Sequence, residues 1–143
     1  MNNFSGTFNH QMDDRGRLRI PAKLRADLGD RPIIMMGADY CLDILSQSAA
    51  QIIFEKLDNI TSADTVALKY KRKLLASLYT IEEDKQGRFL LPKNLRTYAN
   101  LNKNVVFSGS GSKVNLWDES KWNEYICEDD TLEMHTSLGK YGI

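Results

Sequence analysis

A five-residue pattern suited to aiming an arginine occurs twice in this chain, as Asp13-Asp-Arg-Gly16-Arg17 and Asp84-Lys-Gln-Gly87-Arg88. Aspartate opens tight turns because its carboxylate accepts backbone N–H groups, and a glycine three residues on supplies the positive φ that closes them. An arginine placed just after such a turn offers a planar fork, and guanine O6 and N7 form the acceptor pair that fits it. Arg15, Arg19 and Lys23 accompany the first tip, and Lys85 and Lys93 the second; such cations contact phosphates. The competing reading is that Arg17 and Arg88 merely pair with Asp13 and Asp84 to pin the turns. A pinning pair needs no extra cations, so two tips with cationic neighbours favour a polyanion partner. Both roles are compatible, since a carboxylate can aim an arginine that then meets a base.

Catalytic and metal chemistry find less support. Glu82-Glu83-Asp84 has no histidine nearby in sequence and reads as a solvated strand end. Gly109-Ser-Gly-Ser-Lys113 lacks the spacing of a phosphate-binding loop and reads as a hairpin turn. His10 has no nucleophile in an elbow motif, and Cys41 lies in a strand pattern, where a buried inert thiol is the usual state. Two cysteines (Cys41, Cys127) and two histidines (His10, His135), without C-x-x-C or H-x-x-x-H spacing, predict neither a zinc site nor any other cofactor. The chain is not expected to be an enzyme.

The elements that must carry the tips follow from a duplication. Shifted by 71 residues, the segment from Phe8 to Arg25 lies over that from Tyr79 to Arg96, with Asp, Gly, Arg, Pro, Leu and Arg recurring at the same offsets. Each copy reads as strand, turn, strand and a helix opened by Pro21 or Pro92, with Leu24, Leu28 and Leu95 on the apolar side and Arg25 or Arg96 on a flank. A second hairpin follows, through Ala38-Asp39-Tyr40 in the first copy and Gly109 to Ser112 in the second. Four short strands per copy result. Between copies, Ala49, Ile52, Ile53 and Leu57, then Val66, Tyr70, Leu74 and Leu78, recur at helical spacing and predict two helices. Ser46 and Asp118 stand where helix caps belong, the latter before a helix carrying Trp122, Tyr125 and Ile126. Residues 128–143 read as a loose acidic tail. The expected layout is a first repeat over 5–47, connecting helices over 48–76, a second repeat over 77–120, and a final helix with its tail over 121–143. A half of this size buries too little surface to stand alone, so the copies should share one core and one barrel.

The chain has 143 residues, 42% hydrophobic and 27% charged, with nineteen cations balancing nineteen carboxylates. Disorder and a uniformly basic protein are both excluded. The balance hides sorting along the chain. Residues 1–25 carry five cations against two carboxylates, residues 69–96 eight against three, and residues 118–133 seven carboxylates against one lysine. The last stretch reads as a soluble face; the alternative reading is that it repels a polyanion from the far side and sets polarity. No signal-peptide pattern or apolar run of membrane-spanning length occurs. A cytosolic protein with reduced thiols is expected.

These residues resemble the MraZ family of bacterial regulators, built from two AbrB-like swapped-hairpin segments. The likeness runs from about Phe4 to Trp122. Its markers are Phe4-x-Gly6, His10, the run from Asp13 to Arg25, Cys41-Leu42, the run from Asp84 to Arg96, Leu116-Trp117-Asp118 and Trp122. The resemblance implies an α+β, mainly β fold: a double swapped-hairpin barrel with flanking helices. It implies a cytoplasmic, nucleoid-associated repressor that binds short G-rich direct repeats in the promoter of a division and cell-wall gene cluster, through Arg17 and Arg88. It also implies rings of about eight to twelve chains on double-stranded DNA, with no membrane partner. The sequence departs from the family pattern in two places. Ser46 to Gln51 replaces an aromatic and Pro-containing stretch, and Asn115 replaces an acidic residue. A structural or protein-binding ring without base readout is the alternative.

Overall fold

A computed structural model describes residues 3–127 and 131–143. The first copy supplies β1 (Thr7–Gln11), β2 (Arg17–Arg19), α1 (Ala22–Leu28), β3 (Ile33–Met36) and β4 (Leu42–Leu45). Helices α2 (Gln47–Asp58) and α3 (Thr65–Ser77) lead to the second copy: β5 (Tyr79–Thr80), β6 (Arg88–Leu90), α4 (Lys93–Tyr98), β7 (Asn104–Ser110) and β8 (Lys113–Asp118). Then come α5 (Glu119–Ile126) and α6 (Thr131–Gly139). The protein is α+β with antiparallel sheets.

Strand pairing departs from the sequence expectation in an informative way. The strands flanking each Asp-x-x-Gly turn do not form a local hairpin ladder. Instead β1 pairs with β7, β5 with β3, and β2 with β6, so every one of these strands hydrogen-bonds to the other copy. The larger sheet runs β1-β7-β8-β4-β3-β5, an order that reads the same after exchanging the copies. The expected closed barrel does not form. β1 and β5 remain sheet edges, while β2 and β6 make a separate two-stranded ribbon. Three-residue strands whose neighbours are already paired elsewhere cannot bridge those edges; they cover the core as a lid.

Period-two alternation sorts the side chains. Ile34, Leu42, Ile44, Val105, Phe107 and Leu116 face the ribbon's Leu18 and Phe89 together with Leu24, Leu28 and Leu95 of α1 and α4. Full burial of each large side chain contributes about 1.5–3 kcal/mol. On the opposite face, Ile33, Met35 and Leu45 meet Ala50, Ile53 and Leu74 of the connecting helices, while Val106 and Trp117 meet Trp122 of α5. Val66 and Tyr70 of the α3 stripe stay exposed. Ser46 Oγ accepts the Ala49 amide at 3.2 Å, and Asp118 accepts that of Lys121 at 3.4 Å, so the caps form where the sequence put them. The tail is helical over Thr131–Gly139, with every side chain of that helix exposed. Glu128, Asp129 and Asp130 of the acidic stretch lie outside the described residues. Among the described residues no helix is long and apolar enough to cross a membrane.

At the pseudo-symmetric centre, β4 pairs with β8 and sets Asp43 opposite Asn115. Asn115 Nδ2 donates to Asp43 Oδ1 at 2.7 Å, and Lys113 Nζ donates to Oδ2 at 3.1 Å. The amide of Asn115 and the ammonium of Lys113 thus satisfy a buried carboxylate that an acidic residue at position 115 would repel. Cys41 is buried beside the same group. Burial first, and the Asp43 charge second, push its thiol up to about 12. In a native-state titration with an aromatic disulfide reagent, Cys127, which is exposed, reacts at once and Cys41 reacts only on unfolding. Two equivalents released immediately would contradict that burial.

Candidate nucleic-acid interface

The two turns are built by matching bonds. The Asp13 carbonyl accepts from Gly16 N–H at 3.0 Å, and the Asp84 carbonyl from Gly87 N–H at 3.0 Å. Asp13 Oδ1 accepts the amides of Arg15 and Arg17, both at 2.9 Å; Asp84 Oδ1 accepts those of Gln86 and Arg88 at 2.8 and 3.0 Å. Gly16 and Gly87 take φ of 82° and 76°, the left-handed region such turns require. The amide of the following arginine, more than any other group, holds each carboxyl below its ordinary 3.8. Each carboxylate also receives its arginine directly, Arg17 Nε at 2.7 Å and Arg88 Nε at 3.2 Å.

Pinning through Nε leaves the far edge of the fork for another partner. Among the described residues no acceptor holds the Nη atoms of Arg17, and Arg88 Nη1 lies 3.9 Å from Asp13 Oδ2 across the copies. That last approach brings the two tips together. The side chains of Arg17 and Arg88 are 28% and 26% exposed, so they are neither sealed in the core nor free to wander. The pinning and reaching roles weighed from the sequence therefore fit one geometry.

The ribbon organises the remaining groups. Its register sets Arg17 opposite Leu90, Leu18 opposite Phe89 and Arg19 opposite Arg88. Leu18 and Phe89, each 1% exposed, anchor it inward, which leaves Arg17, Arg19, Arg88 and Leu90 on the outer face. Arg15 and Lys85 are exposed in the turns themselves. Lys23 and Lys93 are exposed in the first turns of α1 and α4, just beyond the ribbon. A shallow depression of about 230 Å³ lined by His10, Gln11, Asp13, Arg17, Arg19 and Arg88 adjoins the tips. A two-stranded ribbon has the width that the DNA major groove admits.

A scan against known families matches the chain over residues 3–72 and 74–137 to the family described as "MraZ protein, putative antitoxin-like". The chain belongs to the MraZ family. A curated relative, "Transcriptional regulator MraZ" from Carboxydothermus hydrogenoformans, is 40% identical over 122 residues, 85% of each chain.

In this MraZ chain the support beneath the tips comes from residues that sequence reasoning noted only as helix flanks. A Cβ on Gly16 would meet the Arg96 guanidinium at 2.9 Å, and one on Gly87 would meet Arg25 Nη2 at 3.5 Å. Each helix thus braces the turn of the opposite copy. Arg25 donates to Glu83 and to the Ile20 carbonyl, and Arg31 Nη2 donates to Glu82 Oε1 at 3.2 Å. Glu82 and Glu83 are accordingly paired with arginines of the first copy, not simply solvated. Only the recurrence of Arg25 and Arg96 at equal offsets signalled this role.

Proposed function

We propose that this MraZ-family chain is a sequence-specific DNA-binding transcriptional regulator. It presents Arg17 and Arg88 to guanines in the major groove while Arg15, Arg19, Lys23, Lys85 and Lys93 neutralise phosphates. The observation that carries this reading is the matched pair of Nε-pinned arginines on one ribbon, preorganised so that little freedom is lost on binding. The name of the curated relative supports transcriptional regulation.

The finer reading follows the family. The chain represses the promoter of a division and cell-wall gene cluster from the nucleoid, and it recognises short G-rich direct repeats as a ring of about eight to twelve subunits. The strand exchange between copies supports the AbrB-like swapped-hairpin description, with repeats over 5–47 and 77–120, connecting helices over 48–76 and a C-terminal region over 121–143. A chain with two tips makes few contacts, whereas linked chains convert modest affinities into tight binding when repeat spacing matches. Exposed Ile52, Val66 and Tyr70 offer apolar surface for assembly.

The test is a mobility-shift titration at fixed salt on DNA from upstream of the protein's own coding region, read beside the mass in solution. Probes carrying four repeats bind at least about tenfold more tightly than probes carrying one. Equal affinities would rule out the multivalent reading.

A further inference from the structure

The ribbon is not the symmetric object its two arginines suggest. The 71-residue shift maps Arg17 onto Arg88 and Leu18 onto Phe89, but it maps Arg19 onto Leu90. Three positions of the outer face are arginine and the fourth is leucine, 52% exposed and directly opposite Arg17. The bracing is unequal too. Arg25 meets Glu83, while the counterpart of Glu83 is Met12, and Arg96 Nε is buried with no hydrogen-bond partner among the described residues.

A reader with two identical halves has no preferred direction along a duplex, because rotation about its dyad restores the same contacts. The difference between Arg19 and Leu90 removes that degeneracy. A lone exposed leucine elsewhere on a protein needs no explanation. This one lies on the surface that the proposed function sets against base edges, among arginines that gain nothing from an apolar neighbour in water. In the major groove the apolar complement is the C5-methyl of thymine. Facing residues of a ribbon lie about 4.5–5.5 Å apart. Base pairs step by about 3.4 Å along the duplex. A methyl met by Leu90 therefore lies within one or two steps of a guanine met by Arg17.

We infer that Leu90 is a specificity-determining residue that packs on a thymine methyl beside the guanine read by Arg17, and that its inequality with Arg19 fixes the direction in which each chain lies on its site. This rests on the DNA-binding reading above.

The full chain is used to select binding duplexes from a randomised pool, and each thymine of the winning site is replaced in turn by deoxyuridine, which lacks only the methyl. One replacement near the guanines weakens the wild-type protein about threefold to tenfold. Leu90→Ala becomes indifferent to that replacement, whereas Leu90→Met retains the sensitivity. A chain carrying Arg19→Leu with Leu90→Arg selects a site with thymine on the other side of the guanines. Enrichment of a site with no uridine-sensitive position, or unchanged sensitivity in Leu90→Ala, overturns the inference while leaving the DNA-binding reading intact. A pool that yields no enriched sequence overturns both.

Discussion

A chain carrying both Arg17→Ala and Arg88→Ala loses discrimination between its selected site and unrelated duplex, and keeps its fold. Each bidentate guanine contact is worth about 1–3 kcal/mol of discrimination. Losing two therefore lowers the specific-to-nonspecific ratio by roughly thirtyfold or more, and a multivalent assembly amplifies the loss. The turns survive because the Oδ1 atoms of Asp13 and Asp84 still accept two backbone amides each. Competition titrations at one salt concentration, with circular-dichroism melting of the same samples, separate reading from folding. Retardation of the selected duplex at wild-type protein concentrations by the double variant would show that these arginines do not read bases.

The largest effect on stability is expected at Gly109, in the segment that superficially resembled a phosphate loop. A Cβ there would lie 2.5 Å from the carbonyl carbon of Phe4 and closer still to Ser5 backbone atoms, so the chain on one side must move. The N-terminal segment is held by Phe4 N–H donating to the Gly111 carbonyl at 2.7 Å and Gly109 N–H donating to the Gly6 carbonyl at 2.9 Å. Displacing it uncovers Phe4, a core residue. Gly109→Ala accordingly destabilises by about 3–5 kcal/mol, the range for losing a buried phenylalanine. The melting temperature falls by roughly 10 °C. Gly111→Ala is the control, since a Cβ at Gly111 meets nothing within 4 Å and only the positive φ of 73° resists it. A Gly109 variant that melts no lower than the Gly111 variant would refute the close-approach argument.

The parts of this molecule legible in its sequence were those decided by neighbours along the chain. Asp13 with Gly16, Asp84 with Gly87, the caps Ser46 and Asp118, and the Gly111 turn depend on residues within a few positions. Choice of strand partner was not legible. Alternation marks Leu18, between Arg17 and Arg19, as inward, whereas the run Phe89-Leu90-Leu91 does not alternate; either pattern is satisfied equally whether the partner is the preceding strand or one from the other copy. The duplication pointed to a shared core without showing that the first strand of each copy would cross over, and so it suggested a barrel. Glu82 and Glu83 looked solvated because Arg31 and Arg25 lie 51 and 58 residues away. Leu90 passed unnoticed because an apolar residue in a short strand is ordinarily taken as inward, and only the observed register turns it outward.

Because each copy borrows strands from its twin, a half-length polypeptide could rebuild this architecture only by pairing with a second identical molecule. Such a homodimer would carry every substitution twice. Joining the halves through α2 and α3 releases that constraint, so one half can change its outward chemistry while the other keeps it. The tandem gene product is in effect a heterodimer of fixed stoichiometry, its unlike halves held at high mutual concentration by their own linker.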